Sequence, residues 1–324
     1  MGTIVSLLLL LVFLSLGFIL SRLGILAFNS KIDRIFSIAL YLLLFSMGLR
    51  LGQSRSVISS LSLVGALAIS SAVFTCTGTV LCHLLMGPVY RKIDSNGLYA
   101  GNPKTSAGVK TGPVSGTHRA AILVHNLKKP FVLLVLVVLG TFAGYFLPSV
   151  SVLADGSVAT WILYVLLFII GIQMAGSGSS LGKLIVQPAV LLLPLVTMAG
   201  TLLGSLGTLF FTGMSVGKAL ALGSGFGWYS LSGVLITNLG DPVLGAAAFL
   251  SNLLRETIAF LSVPLLYLTG RCESGIGISG ATSMDVTLPV IEDTWGSEII
   301  PLSVVHGVIL SFLVPFLVPL FMSF

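Results

Sequence analysis

The chain has 324 residues, of which 8% are charged and 56% are hydrophobic, and its formal net charge is +6. An ordinary soluble domain carries about 25% charged residues, so this composition excludes a soluble globular enzyme, a disordered chain and a coiled coil. An outer-membrane barrel is also excluded, because its strands would alternate apolar and polar residues. The sequence therefore predicts an all-α polytopic membrane protein with no affinity for nucleic acid, whose basic residues report orientation.

Eight apolar runs follow in chain order, and a membrane-spanning helix needs about 20 such residues. They lie at 3–20, 35–53, 57–86, 131–148, 158–175, 186–211, 243–268 and 299–323. The first run has no basic start and is too long for a cleavable signal peptide, so it is expected to remain as a span. The prediction is about eight transmembrane helices.

The basic residues between these runs predict which way the chain points. Loops 1, 3 and 5 hold 3, 7 and 1 Lys or Arg residues, whereas loop 4 holds none and loop 2 holds 2 when Arg50, near the end of the second run, is counted with Arg55. Because cytoplasmic loops carry the excess of Lys and Arg, the odd-numbered loops are expected in the cytoplasm and both termini outside. The one long polar stretch, 87–129, is rich in Gly, Ser, Thr and Pro and is interpreted as a flexible cytoplasmic linker.

An internal match relates the two parts of the chain that flank this linker. Residues 40–48 line up with residues 163–171 at an offset of 123, and the Tyr, Phe and Gly residues fall in register. Spans 1–3 within 1–86 and spans 4–6 within 130–213 are therefore interpreted as two repeats. Three is an odd number of spans, so the second repeat would be inverted, an arrangement typical of transporters with a site near the membrane midplane.

The remaining residues, 214–324, contain a second pairing. The segments 223–233 and 275–285 are dense in Gly and Ser, and each precedes an apolar run. We interpret them as two re-entrant hairpins or broken helices that enter from opposite faces and meet, forming a hairpin-helix-hairpin-helix transport core. Such backbone is tolerated only where it faces protein or a water-filled cavity. The alternative is that these glycines merely permit close helix packing.

Three polar residues lie deep in the seventh apolar run: Asn252, Arg255 and Glu256. An ionised side chain at that depth costs at least about 2.5–3.5 kcal/mol. Arg255 and Glu256 are adjacent and about 100° apart around a helix, so each can have another partner, whereas Asn252 shares the face of Glu256. The prediction is an ion or substrate site, and the alternative is a buried Arg255–Glu256 network that only fixes helix packing.

Two further ionisable residues lie in or near the second hairpin and the last span. Asp285 follows Thr282 and Ser283 near the expected hairpin tip, where carboxylate, hydroxyl and carbonyl oxygens suit Na⁺ or an ammonium group. The alternative for Asp285 is a helix N-cap. His306 could relay a proton because its reference pKa lies near neutrality, although a lone histidine in a helix is more often a packing residue.

Several motifs resemble the prokaryotic lysine exporter family, LysO. They are GSGFGWYSLSG at 223–233, Arg255-Glu256, GATSMDVTLP at 280–289 and Val305-His306-Gly307. The resemblance is tightest over 218–324 and collinear over spans 1–6. It implies an inner-membrane exporter of L-lysine and close analogues such as thialysine, with eight spans and both termini outside. The family's intramembrane carboxylates fall on Glu256 and Asp285, and the linker at 87–129 is longer and more basic than the family leads us to expect.

A cationic substrate fits these residues. Glu256 and Asp285 could take the ammonium groups of lysine, and the N-termini of the broken helices could take its carboxylate. The hydroxyl and aromatic side chains expected nearby, as carboxylate ligands or cavity lining, are Trp228, Tyr229, Ser230, Ser232 and Ser283. Export of a cation against an inside-negative potential requires coupling, so antiport with H⁺ or Na⁺ by alternating access is expected, with no other cofactor.

The expected partners are L-lysine and membrane lipids, and a homodimer is left open. Two alternatives remain at this point. One is an exporter of another amino acid or small organic ion on the same scaffold. The other is an intramembrane enzyme that uses Glu256, Asp285 and His306 as acid and base. Against the enzyme, the sequence contains no nucleophile elbow, no His-Glu-x-x-His helix and no cluster of metal ligands.

Overall fold

The structure, a computed structural model, describes residues 3–26, 30–53, 60–93, 132, 135–146, 161–172, 175, 187–267 and 270–324. Every regular element among them is an α-helix or a short 3-10 helix. The first six helices are α1 Thr3–Arg22, α2 Ser30–Gln53, α3 Leu61–Ile93, α4 Val135–Phe146, α5 Trp161–Ile172 and α6 Pro188–Ser205. The others are α7 Val216–Gly223, α8 Tyr229–Asn238, α9 Pro242–Leu266, α10 Cys272–Ser279, α11 Leu288–Trp295 and α12 Ile300–Met322.

Four helical segments are long and apolar enough to cross a membrane: Leu61–Ile93, Pro188–Thr212, Pro242–Leu266 and Ile300–Met322. The second consists of α6, the 3-10 turn Leu206–Thr208 and the short helix Leu209–Thr212. Shorter apolar helices, α4 and α5 among them, fall within the other four predicted spans. Large apolar side chains such as Leu85 and Leu195 are exposed on the outer faces of α3 and α6, as expected where lipid replaces water as the solvent. The prediction of an all-helical membrane protein is confirmed.

The end of α3 lies beyond the predicted end of the third span. Residues 87–93, which were predicted as the start of the linker, continue the helix. Tyr90 in this last turn is buried, whereas Arg91 and Lys92 are exposed, so one face of the turn still packs against protein. The rest of the predicted linker, 94–129, lies outside the described residues.

The helix α9 begins at Asp241-Pro242, residues typical of a helix start. Asp241 is the N-cap residue, its side chain accepts a hydrogen bond from the Leu244 backbone N–H at 2.9 Å, and Pro242 occupies the first turn. Proline is tolerated there because its missing N–H would have no partner within the helix. The cap also pairs with Lys218 at 2.7 Å, which links the start of α9 to α7.

Both predicted broken helices are present as pairs of short helices. A non-helical break at 224–228 separates α7 from α8, and the 3-10 turn Gly280–Met284 follows α10 and precedes α11. The two breaks touch, because the Ala281 backbone N–H donates to the Phe226 carbonyl at 2.8 Å. Gly280 has a φ of 63°, and a Cβ at this position would overlap the Phe226 carbonyl oxygen. Glycine therefore serves both the backbone conformation and the contact.

The long helices form the packed centre of the described residues. The helix α3 lies along α6 and along α9, and α9 also packs against α8. The approach of α3 to α6 is close because Gly78 faces Gly200 and Gly204, where side chains would overlap backbone atoms. Small residues at such crossings are typical of membrane helix interfaces. This packing brings polar residues of α3 and α6 up to the polar residues of α9.

Candidate functional site

The centre of α9 carries two ionisable side chains that are almost completely inaccessible to solvent. Arg255 and Glu256 are each 1% exposed. They lie 13 and 14 residues beyond Pro242 in a helix of 25 residues, so both are near its midpoint. The residues one helical turn further along, Ala259 and Phe260, are buried and apolar. The local sequence therefore places a cation and a carboxyl group side by side in the packed interior.

The guanidinium of Arg255 binds oxygen atoms of three other helices. Its Nη1 donates to Thr201 Oγ1 of α6 at 3.1 Å, and its Nη2 contacts Thr79 Oγ1 of α3 at 3.5 Å. It also donates to the carbonyls of Gly277 and Ile278 at the end of α10, each at 3.3 Å. A cation is favoured at a helix C-terminus, where carbonyls lack intrahelical partners. Arg255 therefore holds the first half of the second broken helix against α9.

The carboxyl group of Glu256 differs from the guanidinium of Arg255 in its hydrogen bonding. Both of its carboxylate oxygens are buried, and neither has a hydrogen-bond partner among the described residues. It is not bound by Arg255, so an Arg255–Glu256 network that fixes packing does not describe the structure. The charge of Asp285 acts on Glu256, and both carboxylates act on Tyr229 at the start of α8. A buried carboxyl group without partners is costly to keep, and this one lies within electrostatic reach of a second carboxylate and a phenol.

Asp285 is exposed, which corrects the expectation that both carboxylates are buried. It directly follows the 3-10 turn Gly280–Met284, and the chain leaves the packed interior there. Its carboxylate accepts a hydrogen bond from the Val286 backbone N–H at 2.6 Å. The N-cap position of α11 belongs to Thr287 and not to Asp285, so the alternative of a helix N-cap is wrong. The two carboxylates thus differ in environment, one open to solvent and one enclosed.

Asn252 and Ser232 hold the first break rather than present free groups. Asn252 Oδ1 accepts from the Gly227 backbone N–H at 2.7 Å, and its Nδ2 donates to Ser232 Oγ at 3.1 Å and to the Ala248 carbonyl at 2.9 Å. Ser232 Oγ in turn donates to the Trp228 carbonyl at 2.9 Å. All the hydrogen-bonding groups of the Asn252 side chain are occupied, which fixes the break between α7 and α8 against α9.

The remaining predicted residues are distributed around the two breaks. Trp228 is half-buried at the N-cap of α8, and Tyr229 lies edge-on to Phe249 of α9 at a centroid distance of 5.5 Å. Ser230 and Thr282 are buried, and Thr282 Oγ1 donates to the Ser279 carbonyl at 2.8 Å. Tyr229, Glu256 and Asp285 interact with one another electrostatically. Ser283 and His306 belong to a different group of residues.

His306 is fully buried in α12 and bonded at both ring nitrogens. Its Nδ1 lies 2.9 Å from Ser283 Oγ and its Nε2 lies 2.9 Å from Thr197 Oγ1 of α6. His83 of α3, which the sequence analysis did not single out, also contacts Thr197 Oγ1, at 2.8 Å. The signal was available, because an ionisable residue inside an apolar run marks a functional candidate. Thr79, Thr197 and Thr201 gave no comparable signal.

A sequence model of the family "Lysine exporter LysO" matches residues 11–101 and 134–322, which is most of the chain. The chain belongs to the lysine exporter LysO family. The matched residues include α9, both breaks and α12, and therefore every candidate residue described above. The unmatched residues 102–133 fall almost entirely in the predicted linker, where the chain was expected to depart from the LysO pattern. The family is one of exporters rather than enzymes, as the resemblance implied.

Two relatives carry related descriptions. "Lysine exporter LysO" of Escherichia coli (strain K12) is 43% identical over 159 residues, which is 49% of this chain and 53% of the relative. "Putative lysine exporter" of Haemophilus influenzae (strain ATCC 51907 / DSM 11121 / KW20 / Rd) is 34% identical over 192 residues, which is 59% of this chain and 97% of the relative. The match thus spans about half the length of the Escherichia coli LysO protein. No solved structure matches the chain.

The LysO candidate site contains few metal-ligating side chains. Within the described ranges, no group of three or more His, Cys, Asp or Glu residues is placed to hold a metal ion. A Na⁺ ion near Asp285 would therefore depend on this carboxylate together with carbonyl and hydroxyl oxygens, which are the ligands that hard cations accept. The Na⁺ site stays a prediction.

Proposed function

We propose that the chain exports L-lysine and close analogues such as thialysine across the bacterial cytoplasmic membrane, by exchange for H⁺ or Na⁺. The observation that carries the proposal is Glu256, a buried carboxyl group that has no hydrogen-bond partner among the described residues, in a member of an exporter family. An ammonium group or a coupling ion would supply the missing partner. Asp285 would meet the second ammonium group, since its charge already reaches Glu256.

Exchange at one carboxylate explains how a cation leaves against the membrane potential. Moving one positive charge outward costs about 2.3 kcal/mol per 100 mV of inside-negative potential. If Glu256 binds either the substrate cation or the coupling ion, one lysine leaves for one monovalent cation that enters. Such a cycle moves no net charge, so the potential does not oppose it.

The proposed architecture has eight spans and two inverted repeats, and two glycine contacts support the repeats. Gly17 of α1 approaches Gly171 of α5, and Gly48 of α2 approaches Gly140 of α4, closely enough that Cβ atoms would overlap backbone. Gly17 corresponds to Gly140, and Gly48 to Gly171, at the offset of 123 found in the sequence. A pseudo-twofold axis that relates the two repeats would therefore superimpose the contact between Gly17 and Gly171 on the contact between Gly140 and Gly48.

The central contact between α3 and α6 fits the same axis. Thr79 Oγ1 and Thr201 Oγ1 lie 2.8 Å apart and are separated by 122 residues, close to the repeat offset. Thr79 and Thr201 would be equivalent residues of the two proposed repeats, as expected for residues next to the pseudo-twofold axis. The two touching breaks would then be re-entrant hairpins that meet near the midplane, where transporters of this kind bind their substrates. The excess of Lys and Arg in the odd-numbered loops supports a cytoplasmic location for 87–129 and both termini outside.

Counterflow in proteoliposomes tests this function. Purified protein is reconstituted, the vesicles are loaded with unlabelled lysine, and uptake of labelled lysine is followed, with protein-free vesicles as the control. We expect lysine and thialysine to compete with the label and leucine not to compete, because leucine would leave the buried carboxylate unpaired. Arginine should compete weakly, since its planar guanidinium needs a forked partner. Equal competition by leucine and lysine would mean that the carboxylates serve the coupling ion alone.

A further inference from the structure

Five buried side chains form one continuous hydrogen-bonded chain through the protein. Tyr90 Oη contacts His83 Nδ1 at 2.8 Å, and His83 Nε2 contacts Thr197 Oγ1 at 2.8 Å. Thr197 Oγ1 contacts His306 Nε2 at 2.9 Å, and His306 Nδ1 contacts Ser283 Oγ at 2.9 Å. No member is more than 1% exposed. This chain of hydrogen bonds connects α3, α6, α12 and the 3-10 turn of the second break, which are far apart in sequence.

The hydrogen bonds of this chain can all point the same way. Ser283 Oγ donates to the Ser303 carbonyl at 3.0 Å, so it can accept a hydrogen bond from His306 Nδ1–H. His306 Nε2 then accepts from the Thr197 hydroxyl, which accepts from His83 Nε2–H, and His83 Nδ1 accepts from the Tyr90 hydroxyl. Each neutral imidazole donates at one nitrogen and accepts at the other. The opposite orientation is also possible when both imidazoles change tautomer, which is the property a proton relay requires.

The two ends of the chain lie where protons would have to enter and leave. Tyr90 is in the last turn of α3, beside the exposed Arg91 and Lys92. It is seven residues from His83, or about 10 Å along the helix axis. Ser283, at the other end, precedes Asp285 by two residues, and the charge of Asp285 reaches Glu256. The chain of hydrogen bonds therefore extends from the end of α3 to the second break, which is followed by the exposed carboxylate of Asp285.

We infer that Tyr90, His83, Thr197, His306 and Ser283 form the pathway by which the coupling proton passes from the carboxylates to the cytoplasm. The inference rests on the proposed lysine exchange, and it selects H⁺ over Na⁺ as the coupling ion. In each step one O–H or N–H bond breaks as the next forms, so one proton enters at Ser283 and one leaves at Tyr90. Rotation about the C–O bonds returns the hydroxyls to their starting orientation, whereas each imidazole ends in its other tautomer and regains the first one by a second proton transfer. No charge remains on the hydrogen-bonded side chains.

The charged and titratable groups around the imidazoles determine how the relay works. Arg255 of α9 acts electrostatically on both His83 and His306, and the two imidazoles act on one another. Tyr90 of α3 is the titratable group bonded to His83, whereas α6 and the second break present hydroxyls. Like charges repel in a poorly solvated interior, so transfer through neutral imidazoles that exchange tautomers avoids the repulsion that a stored imidazolium would meet.

The hydrogen bonds between these side chains also hold several helices together. The experiment must therefore distinguish this packing role from proton transfer. Thr197→Val removes the central hydroxyl with almost no change in volume, and Thr197→Ser keeps the hydroxyl. Thr75→Val on α3 is the matched control, because the Thr75 hydroxyl is buried and donates only to carbonyls of its own helix, at Ser71 and Ala72. Tyr90→Phe is a second interruption, at the end of the chain, that retains the ring.

The experiment compares two activities in the same proteoliposomes. Lysine counterflow at equal pH on both sides needs no net proton movement, whereas lysine movement driven by a pH gradient does, and an enclosed pH-sensitive dye follows the protons. We expect Thr197→Val and Tyr90→Phe to keep counterflow and to lower lysine-dependent proton flux by about 100-fold, the lower end of the contribution of a positioned proton-transfer group. Thr197→Ser and Thr75→Val should keep both activities.

Several results would overturn the inference. Proton flux that survives in both Thr197→Val and Tyr90→Phe would exclude the chain as the pathway. Equal loss of counterflow and proton flux in correctly folded variants would show that the hydrogen-bonded side chains serve packing alone. A wild-type protein that exchanges lysine for Na⁺ and moves no protons would refute the pathway while lysine export stands. Absence of lysine counterflow in the wild-type protein would instead refute the proposed function and this inference with it.

Discussion

The substitution Glu256→Gln separates a functional carboxylate from a structural one. It removes the negative charge with little change in volume, and Glu256 has no hydrogen bonds among the described residues to lose. A buried unpaired amide costs about 1–3 kcal/mol in proteins, and a charged residue at the centre of a membrane helix costs about 2.5–3.5 kcal/mol. These values are close, so the free energy of unfolding should change by no more than about 1 kcal/mol.

The effect on lysine should be much larger than the effect on stability. Loss of one partner of a buried charge pair costs about 2–5 kcal/mol, and about 1.4 kcal/mol corresponds to a factor of ten. Lysine binding should therefore weaken by about 30-fold or more, and counterflow should fall accordingly. Isothermal titration calorimetry of the detergent-purified protein measures the affinity, and a thermal unfolding curve measures stability in the same preparation.

The matched control is Glu292→Gln, because Glu292 is an exposed carboxylate on α11. It should leave both lysine affinity and the melting temperature unchanged. Two outcomes would refute the reasoning. A Glu256→Gln protein that binds lysine like the wild type would show that the carboxylate does not meet the substrate. A variant that loses several degrees of melting temperature would show that Glu256 has structural partners after all.

Two further substitutions test the break and the topology. Gly280→Ala should lower the melting temperature and lysine counterflow more than Gly296→Ala does. Both glycines have positive φ, 63° and 93°, so both variants share a backbone strain of about 1–2 kcal/mol, but only at Gly280 does the added methyl group meet the Phe226 carbonyl. Equal effects would mean that the contact between the breaks is unimportant. Single cysteines at Ser95 and Ser323, in a protein without its three native cysteines, should react with an impermeant thiol reagent from opposite faces of the membrane, and labelling from one face would contradict the topology.

The long elements were predictable because each one depends on a property that sequence records directly. A span needs about 20 apolar residues, and the run predicted at 243–268 is observed as α9, Pro242–Leu266. The breaks were predictable for a related reason, since Gly and Ser interrupt the helical pattern at 223–233 and 275–285. The end of α3 was not placed correctly, because the predicted run stops before Gly87 and Pro88, although the helix continues through Pro88 to Ile93.

The partners of the buried polar groups could not be read from one sequence. Depth along an apolar run shows that Arg255 is buried, but not that it meets Thr79 and Thr201, which lie on two other helices. The exposure of Asp285 could not be predicted from the sequence for the same reason. Whether the chain turns inward or outward after Met284 depends on the packing of neighbouring helices, and no local pattern near Asp285 specifies it.

The distribution of hydrogen bonds within α9 shows how one helix could both hold the breaks and carry the proposed exchange of ions. Asn252 and Arg255 bind the first and the second break through hydrogen bonds. An exchange site has the opposite requirement, because a permanent partner would compete with lysine and with the coupling ion. Glu256 meets this requirement, since both of its oxygens lack partners among the described residues. In the proposed exchange, the cost of an unpaired buried carboxyl group would favour a site that holds lysine or the coupling ion over an empty site.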